Sequence, residues 1–254
     1  MLLAIDIGNT NMALGVFVKK ELLKNWRIES DREKTSDEYS ILLLNLLSLA
    51  GFERTDIDGV TISSVVPSLT PVFFGLCQEL FVEKPLIIGP GLKTGMPILY
   101  ENPQEVGADR IVASISAFEK FSGPTIVCDF GTATTFDVIS EKGEYLGGAI
   151  APGVQIAAEA LSLRTAKLPH VEIRMPKNVI GRTTVTSIQS GLYFGYIGLV
   201  TNIIKEMKEE LGGQASVVST GGLAGKLFKD IKVIDYYEPD LILQGLRIVY
   251  ERNS

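Results

Sequence analysis

The chain has 254 residues, 46% apolar and 21% charged, a composition typical of a folded globular protein and not of a disordered or fibrous one. Its net charge of −6 argues against a dedicated nucleic-acid surface, because phosphate contacts need clustered Lys and Arg and its 24 basic residues are scattered. Cys77 and Cys128 are the two cysteines and form no CxxC pair, so the sequence predicts neither a disulfide framework nor a zinc site. His170 is the one histidine, and a catalytic triad built on histidine is not predicted either.

The first predicted elements form an antiparallel meander. Residues 2–8 are a nearly continuous apolar run, typical of a strand buried on both faces, and turn residues follow at 9–11. Helices and strands then alternate in the order βββαβαβ. The elements predicted after the first strand are strands 12–18 and 22–28, a helix over 36–50 capped by Ser36, a strand over 60–65, a helix over 68–81 and a strand over 86–88.

A second copy of this order begins at residue 125, where a strand again ends in an acid, a variable residue and a glycine. The elements predicted after it are strands 133–139 and 145–150, helices 154–163 and 184–211, a strand over 216–219, a helix over 222–228, a strand over 232–235 and a helix over 239–252. Two halves with one order predict a duplicated α/β fold, βββαβαβα in each lobe, with a cleft between the lobes. We predict an N-terminal lobe over 1–117 and a C-terminal lobe over 118–254.

Neither a secretion signal nor a membrane span is predicted. Met1 is followed by a strand without a basic segment or cleavage site, and the longest apolar stretch, 41–52, is too short to cross a bilayer. We therefore expect a cytoplasmic protein that binds neither membranes nor nucleic acid.

The junction between the first two strands, Asp-Ile-Gly-Asn-Thr-Asn at 6–11, is a candidate phosphate loop. Glycine permits close backbone approach, successive N–H groups can face a phosphate, and Asp6 can hold magnesium through water. An ordinary hairpin turn explains the same residues. The segment 129–135, Asp-Phe-Gly-Thr-Ala-Thr-Thr, favours the phosphate interpretation, because an acid before a glycine and hydroxyl residues recurs there in a matching strand context. Neither a P-loop nor a GxGxxG pattern occurs, so a pair of hairpin loops is the remaining option for binding a nucleotide.

Two further segments carry candidate chemistry. In Gly-Ala-Asp-Arg at 107–110, Asp109 can take the proton from an attacking hydroxyl while Arg110 offsets charge on the transferred phosphoryl group. A helix N-cap beside a solvated arginine is the alternative. The glycine pair at 221–222 closes a predicted strand, either as a seat for adenosine or as a simple turn.

Four segments in this order and spacing resemble the type III pantothenate kinase family. They are 6–10, 107–110, 129–135 and Gly-Gly-Ala-Ile-x-Pro-Gly at 147–153, and the segment 181–184 also fits. The resemblance covers nearly the whole chain. It implies an actin-like, ribonuclease H-like fold of the acetate and sugar kinase superfamily and the first step of coenzyme A synthesis, in which ATP and pantothenate give ADP and 4′-phosphopantothenate.

The resemblance also implies residue roles and partners. Asp109 is implied as general base and Asp129 as the ligand of a monovalent cation, potassium or ammonium, beside the Mg²⁺ assigned to Asp6. The family is dimeric, which implies a homodimer. The implied contacts with ATP are Asp6, Ile7, Gly8, Asn9, Thr10, Asn11, Met12, Ala13 and Thr132, and those with pantothenate are Tyr100, Gly107, Ala108, Asp109, Arg110 and Thr184.

The helix predicted over 184–211 supports a dimer independently. It is apolar nearly all round in its first half and carries Gly191, Gly195 and Gly198, which would let another helix approach closely. The resemblance implies that Thr184, at the start of this helix, reaches the pantothenate bound mainly by the other subunit. Burial of this helix within its own lobe is the alternative.

Two other functions are compatible with the predicted fold. One is another small-molecule kinase of the actin-like class, although such kinases usually have longer chains. The other is a non-catalytic regulatory factor related to the family. Loss of Asp109 or Asp129 would favour that factor, and both carboxylates are present.

Overall fold

The chain folds into two units, each built around a five-stranded sheet. The computed structural model describes residues 1–82, 84–227 and 231–254. The first unit comprises Met1–Met96, Glu101–Ser116 and Leu241–Ser254, and the second comprises Pro97–Tyr100 and Ala117–Asp240. The strands are β1 Leu2–Ile7, β2 Asn11–Val18, β3 Glu21–Glu29, β4 Gly59–Ser64, β5 Leu86–Ile87, β6 Thr125–Phe130, β7 Ala133–Ile139, β8 Tyr145–Pro152, β9 Ser216–Thr220 and β10 Tyr236–Tyr237. The helices are α1 Ser36–Leu49, α2 Thr70–Leu80, α3 Ala108–Phe121, α4 Val154–Arg164, α5 Thr184–Glu210, α6 Ala224–Leu227 and α7 Leu241–Asn253.

The sheet of the first unit has the strand order β3-β2-β1-β4-β5. Strand β1 is central, antiparallel to β2 and parallel to β4, and it is buried along its whole length as its apolar run predicts. Alternate side chains point to opposite faces of a strand. Leu3, Ile5 and Ile7 accordingly share one core with buried side chains of α1 and α2, among them the thiol Cys77.

Glycines line part of the opposite face of this sheet, where α7 packs. A Cβ added to Gly15 would lie 3.1 Å from Cδ1 of Leu243, and one added to Gly59 would overlap the ring of Tyr250. These glycines let α7 approach the sheet closely. The predicted boundary at 117/118 assigned this helix to the C-terminal lobe, whereas its packing places it in the first unit.

The second unit repeats the strand order as β8-β7-β6-β9-β10. Strand β6 is antiparallel to β7 and parallel to β9, as β1 is to β2 and β4. The predicted duplicated α/β fold is therefore confirmed. Ile126, Cys128 and Phe130 face a core that includes Leu192 and Val200 of α5. No helix within the described part of the chain is long and apolar enough to cross a membrane.

Two predicted details differ in the structure, and one lies outside it. Thr35 rather than Ser36 caps α1, because its hydroxyl accepts the Glu38 N–H at 3.3 Å and the Glu38 carboxylate accepts the Thr35 N–H at 2.7 Å. The last strand pairs at Tyr236–Tyr237 instead of 232–235, since Asp235 uses its carboxylate for the Val217 N–H. The end of the helix predicted over 222–228 lies outside the described residues.

Candidate active site

The turn between β1 and β2 forms the first candidate phosphate loop. Asp6 is buried in β1, and the Gly8 N–H donates to the Asn11 carbonyl at 3.1 Å, which closes the turn. A Cβ on Gly8 would lie 2.8 Å from that carbonyl oxygen, so the turn favours glycine. The side chains of Ile7 and Met12 are fully buried in the core, which leaves their backbone groups for any contact with a ligand.

Two residues just after β3 support this loop, and the sequence analysis did not single them out. The Ser30 hydroxyl donates to the Gly8 carbonyl at 2.6 Å, and the Ser30 N–H donates to the Thr10 carbonyl at 2.9 Å. The exposed Arg32 guanidinium donates to Oδ1 of Asn9 at 3.2 Å. A cation beside a loop of backbone N–H groups strengthens its attraction for phosphate. The one feature of the sequence that could have pointed to Ser30 and Arg32 is their position just after the predicted strand 22–28.

Asp109 lies in the first turn of α3, also in the first unit. Its Oδ1 accepts the N–H of Arg110 at 2.8 Å. Burial raises the pKa of Asp109, and the Arg110 N–H and guanidinium oppose that rise. A carboxyl group with a raised pKa is better matched to proton abstraction near neutral pH. Asp109 lies inside the turn and Arg110 is half-buried, which does not fit an N-cap beside a solvated arginine.

The turn at Gly107 connects Asp109 with the end of β1. A Cβ on Gly107 would lie 2.5 Å from Oδ1 of Asp109 and 3.6 Å from Cγ1 of Val65. The Val65 N–H in turn donates to the Ile7 carbonyl at 3.0 Å. The first unit therefore links two predicted motifs, the hairpin loop and the segment 107–110, through Val65.

The second unit carries the matching loop at the end of β6. Asp129 lies opposite Thr135 on β7 and Thr220 on β9. Gly221 has φ of 93°, in the left-handed region, and a Cβ there would overlap Oδ1 of Asp129. The glycine that the sequence analysis interpreted as an adenosine seat or a simple turn thus leaves room for this carboxylate.

The glycine motif at 147–153 supports the tip of the second loop. Thr132 is exposed at that tip, and its carbonyl accepts the Gly153 N–H at 3.1 Å. A Cβ on Gly153 would overlap the Thr132 backbone. Beneath the loop, the buried Thr134 hydroxyl is hydrogen-bonded to the Tyr196 hydroxyl, which also donates to the Pro152 carbonyl at 3.2 Å. Helix α5 therefore buttresses the strand that begins at this loop.

The remaining two predicted pantothenate contacts occupy separate places in the second unit. The Tyr100 ring packs near Gly147, where an added Cβ would lie 3.5 Å away. Thr184 lines an open groove of about 910 Å³ between α4 and the start of α5, with apolar walls that include Leu161 and Ile188. The described residues that line this groove include none of Tyr100, Asp129 and Thr132.

Two individual carboxylates are the candidates for holding cations. Within the described residues no three or more His, Cys, Asp or Glu side chains form a metal-binding group. Magnesium in phosphotransferases is commonly held by one or two carboxylates together with substrate phosphates and water, so Asp6 beside a phosphate loop fits it. Asp129, beside the second candidate phosphate loop, is the candidate for a monovalent cation.

The duplicated fold is shared with solved structures of kinases. The ROK hexokinase from Thermus thermophilus shares the fold with a TM-score of 0.54 and 12% identity, covering 98% of this chain and 97% of that one. A structure described as a conserved putative Baf family transcriptional activator from Campylobacter jejuni has a TM-score of 0.60 and 20% identity, with 99% and 98% coverage. Likenesses at these identities show the fold alone.

The family follows from closer relatives. The sequence model of the type III pantothenate kinase family matches residues 2–206 of this chain. A type III pantothenate kinase of Moorella thermoacetica is 56% identical over the whole of both chains, and one of Geobacter sulfurreducens is 51% identical over 100% of this chain and 99% of its own. The chain belongs to the type III pantothenate kinase family, which confirms the resemblance found in its motifs.

Proposed function

We propose that the chain transfers the γ-phosphoryl group of ATP to pantothenate, giving ADP and 4′-phosphopantothenate, the first step of coenzyme A biosynthesis. The observation that carries the proposal is Asp109, a carboxyl group with a raised pKa beside Arg110 in a motif linked to the first phosphate loop. Full-length similarity to pantothenate kinases supports the choice of substrate. We also propose that the protein is cytoplasmic.

In this mechanism Asp109 accepts the proton of the attacking pantothenate hydroxyl. Arg110 offsets charge on the transferred group, and Gly107, Ala108, Tyr100 and Thr184 contact pantothenate. The backbone of residues 6–13 and Thr132 contact the phosphates of ATP. Phosphoryl transfer relies mainly on positioning and charge stabilisation, so the Arg32 guanidinium beside Asn9 is a further group that favours ATP binding.

Two cations complete the proposed site. Mg²⁺, held by Asp6 through water, would neutralise phosphate charge. By the family resemblance, Asp129 would hold potassium or ammonium. Asp129 lies near the end of β6, next to the second candidate phosphate loop, and this position supports the assignment.

The working unit proposed is a homodimer formed through α5. One face of this helix, with Ile188, Leu192 and Val200, packs in the core of its own unit. For this face of α5, the alternative prediction of burial within its own lobe is correct. A second face carries Gly191, Gly195 and Gly198, where an added Cβ would meet no atom of the described residues within 4 Å. Thr184 and Ser187 continue this face at helical spacing, so a second copy packed on it would be close to Thr184.

An ADP-release assay with ATP tests the proposal. We expect release to require pantothenate and Mg²⁺, to rise with potassium over sodium at constant ionic strength, and to be lost in Asp109→Asn. Release that is independent of pantothenate, or specific to another hydroxyl compound, would overturn the proposed substrate.

A further inference from the structure

A buried carboxylate that the proposed reaction does not use lies in the middle of β7. Asp137 is 1% exposed and lies opposite Val127 on β6 and Gly148 on β8. A carboxylate so shielded from water is costly unless hydrogen bonds satisfy it. Moving a hydrogen-bond donor away from Asp137 would carry this cost, so the groups that donate to Asp137 are held in their positions.

Two hydroxyl groups from the same unit donate to this carboxylate. The Tyr145 hydroxyl donates to Oδ1 of Asp137 at 2.7 Å, and the Thr135 hydroxyl donates to Oδ2 at 3.1 Å. Tyr145 is itself fully buried. Thr135 is the cross-strand neighbour of Asp129, the proposed cation ligand. Asp137 thus connects the strand position beside Asp129 with the side chain of Tyr145.

Tyr145 in turn holds the segment that carries Tyr100. The Tyr145 N–H donates to the Pro97 carbonyl at 2.8 Å, and its carbonyl accepts the Leu99 N–H at 2.8 Å. The centroids of the Tyr100 and Tyr145 rings are 6.4 Å apart with planes at 58°, a tilted aromatic contact. A Cβ added to Gly147 would also lie 3.5 Å from the Tyr100 ring. Backbone and ring of Tyr145 together set the orientation of Tyr100.

We infer that Asp137 is a positioning residue for pantothenate, which fixes the Tyr145 hydroxyl so that Tyr145 holds Tyr100 in its binding orientation. The inference rests on the proposed contact between Tyr100 and pantothenate. A side chain that is already ordered loses less conformational entropy when its ligand binds. Loosening Tyr145 should therefore weaken the binding of pantothenate and leave that of ATP unchanged.

The main test is Tyr145→Phe, which keeps the ring and removes the hydroxyl. The KM for pantothenate should rise about three- to tenfold, the range that one net hydrogen bond supports, while kcat and the KM for ATP stay unchanged. Asp137→Asn retains an acceptor for the hydroxyl and should keep a KM close to that of the wild type. Asp137→Leu should resemble Tyr145→Phe.

A matched control separates positioning from loss of stability. Tyr39→Phe removes another buried tyrosine hydroxyl, one that donates to the Asp31 carbonyl at 2.7 Å in the first unit. It should lower the thermal midpoint without changing the KM for pantothenate. An equal rise in that KM in Tyr39→Phe would overturn the inference, because the effect would then follow stability and not position.

Tyr100→Ala tests the underlying contact separately. It should raise the KM for pantothenate, and adding Tyr145→Phe should raise it no further, since Tyr145 acts through Tyr100. If Tyr100→Ala raises the KM for pantothenate and Tyr145→Phe does not, the inference is overturned but the proposed contact stands. The same holds if the rise in KM of the double variant equals the product of the two single rises. An unchanged KM in Tyr100→Ala would refute the proposed contact and the inference with it. Absence of pantothenate-dependent ADP release by the wild-type enzyme would refute the proposed function itself.

Discussion

Replacing Asp109 by asparagine should make the protein less active and, at neutral pH, more stable. Burial raises the pKa of Asp109, so the folded state keeps this proton to higher pH than the unfolded state does. Below the pKa of Asp109 in the unfolded state, about 3.9, the carboxyl group is protonated in both states and does not lower the free energy of unfolding. As the pH rises from that value to the pKa in the folded state, the free energy of unfolding decreases progressively. A difference of one pKa unit between the two states corresponds to about 1.4 kcal/mol.

Asparagine is neutral and nearly isosteric, and its Oδ1 can keep the Arg110 N–H that Asp109 accepts at 2.8 Å. Denaturant unfolding of both proteins should give equal free energies at low pH, a growing advantage for Asp109→Asn above about pH 3.9, and a constant advantage above the folded pKa. Loss of the charge partner of Arg110 reduces this gain. Turnover in the ADP-release assay should fall about 10²- to 10⁴-fold, the usual effect of removing a general base.

Asp37→Asn is a matched control, because Asp37 is an exposed carboxylate in the first turn of α1 as Asp109 is in that of α3. Without burial it should lose about 0.3–1 kcal/mol of helix-dipole stabilisation and keep full activity. Near-normal kcat in Asp109→Asn would refute the general-base role. A loss of stability like that of Asp37→Asn would refute the argument from burial.

Four shorter predictions concern the other proposed groups. Asp129→Ala should abolish the response of activity to potassium, and equal wild-type activity in sodium alone would contradict the cation assignment. Arg32→Ala should raise the KM for ATP, most at low ionic strength, without changing that for pantothenate. Gly195→Leu should give a monomer by mass measurement with little activity, whereas an intact dimer would contradict the α5 interface. Mixing Asp109→Asn with Thr184→Arg under subunit exchange should restore activity toward half of normal per mixed dimer, and no recovery would mean that each site lies within one chain.

The duplicated fold could be predicted because its signals are local. The apolar runs of β1 and β6, each ending in an acid, a variable residue and a glycine, report burial and turn geometry within a few residues. The paired order of strands then follows from their spacing. The same signals made Asp6 and Asp129 candidate cation ligands, since each lies two residues before the glycine of its turn.

Groups that meet through tertiary pairing could not be predicted in this way. Arg32 reaches Asn9 because β2 pairs with β3, and the residues between them carry no periodic signal for that contact. The network at Asp137 depends on a segment that precedes it by almost forty residues along the chain, through the backbone bonds of Tyr145 to Pro97 and Leu99. The choice of Thr35 over Ser36 as cap depends on a carboxylate three residues on, a local signal that adjacent hydroxyl residues make ambiguous.

The return of α7 to the first unit has a consequence for how the protein is made. On the ribosome the first sheet emerges early, but the helix that packs on its Gly15 and Gly59 face is synthesised only after the second unit. That face stays uncovered while some 120 residues of the second unit are translated. The nascent chain exposes that face throughout this time, and a fragment cut at residue 117 would present the same face to aggregation or to chaperones.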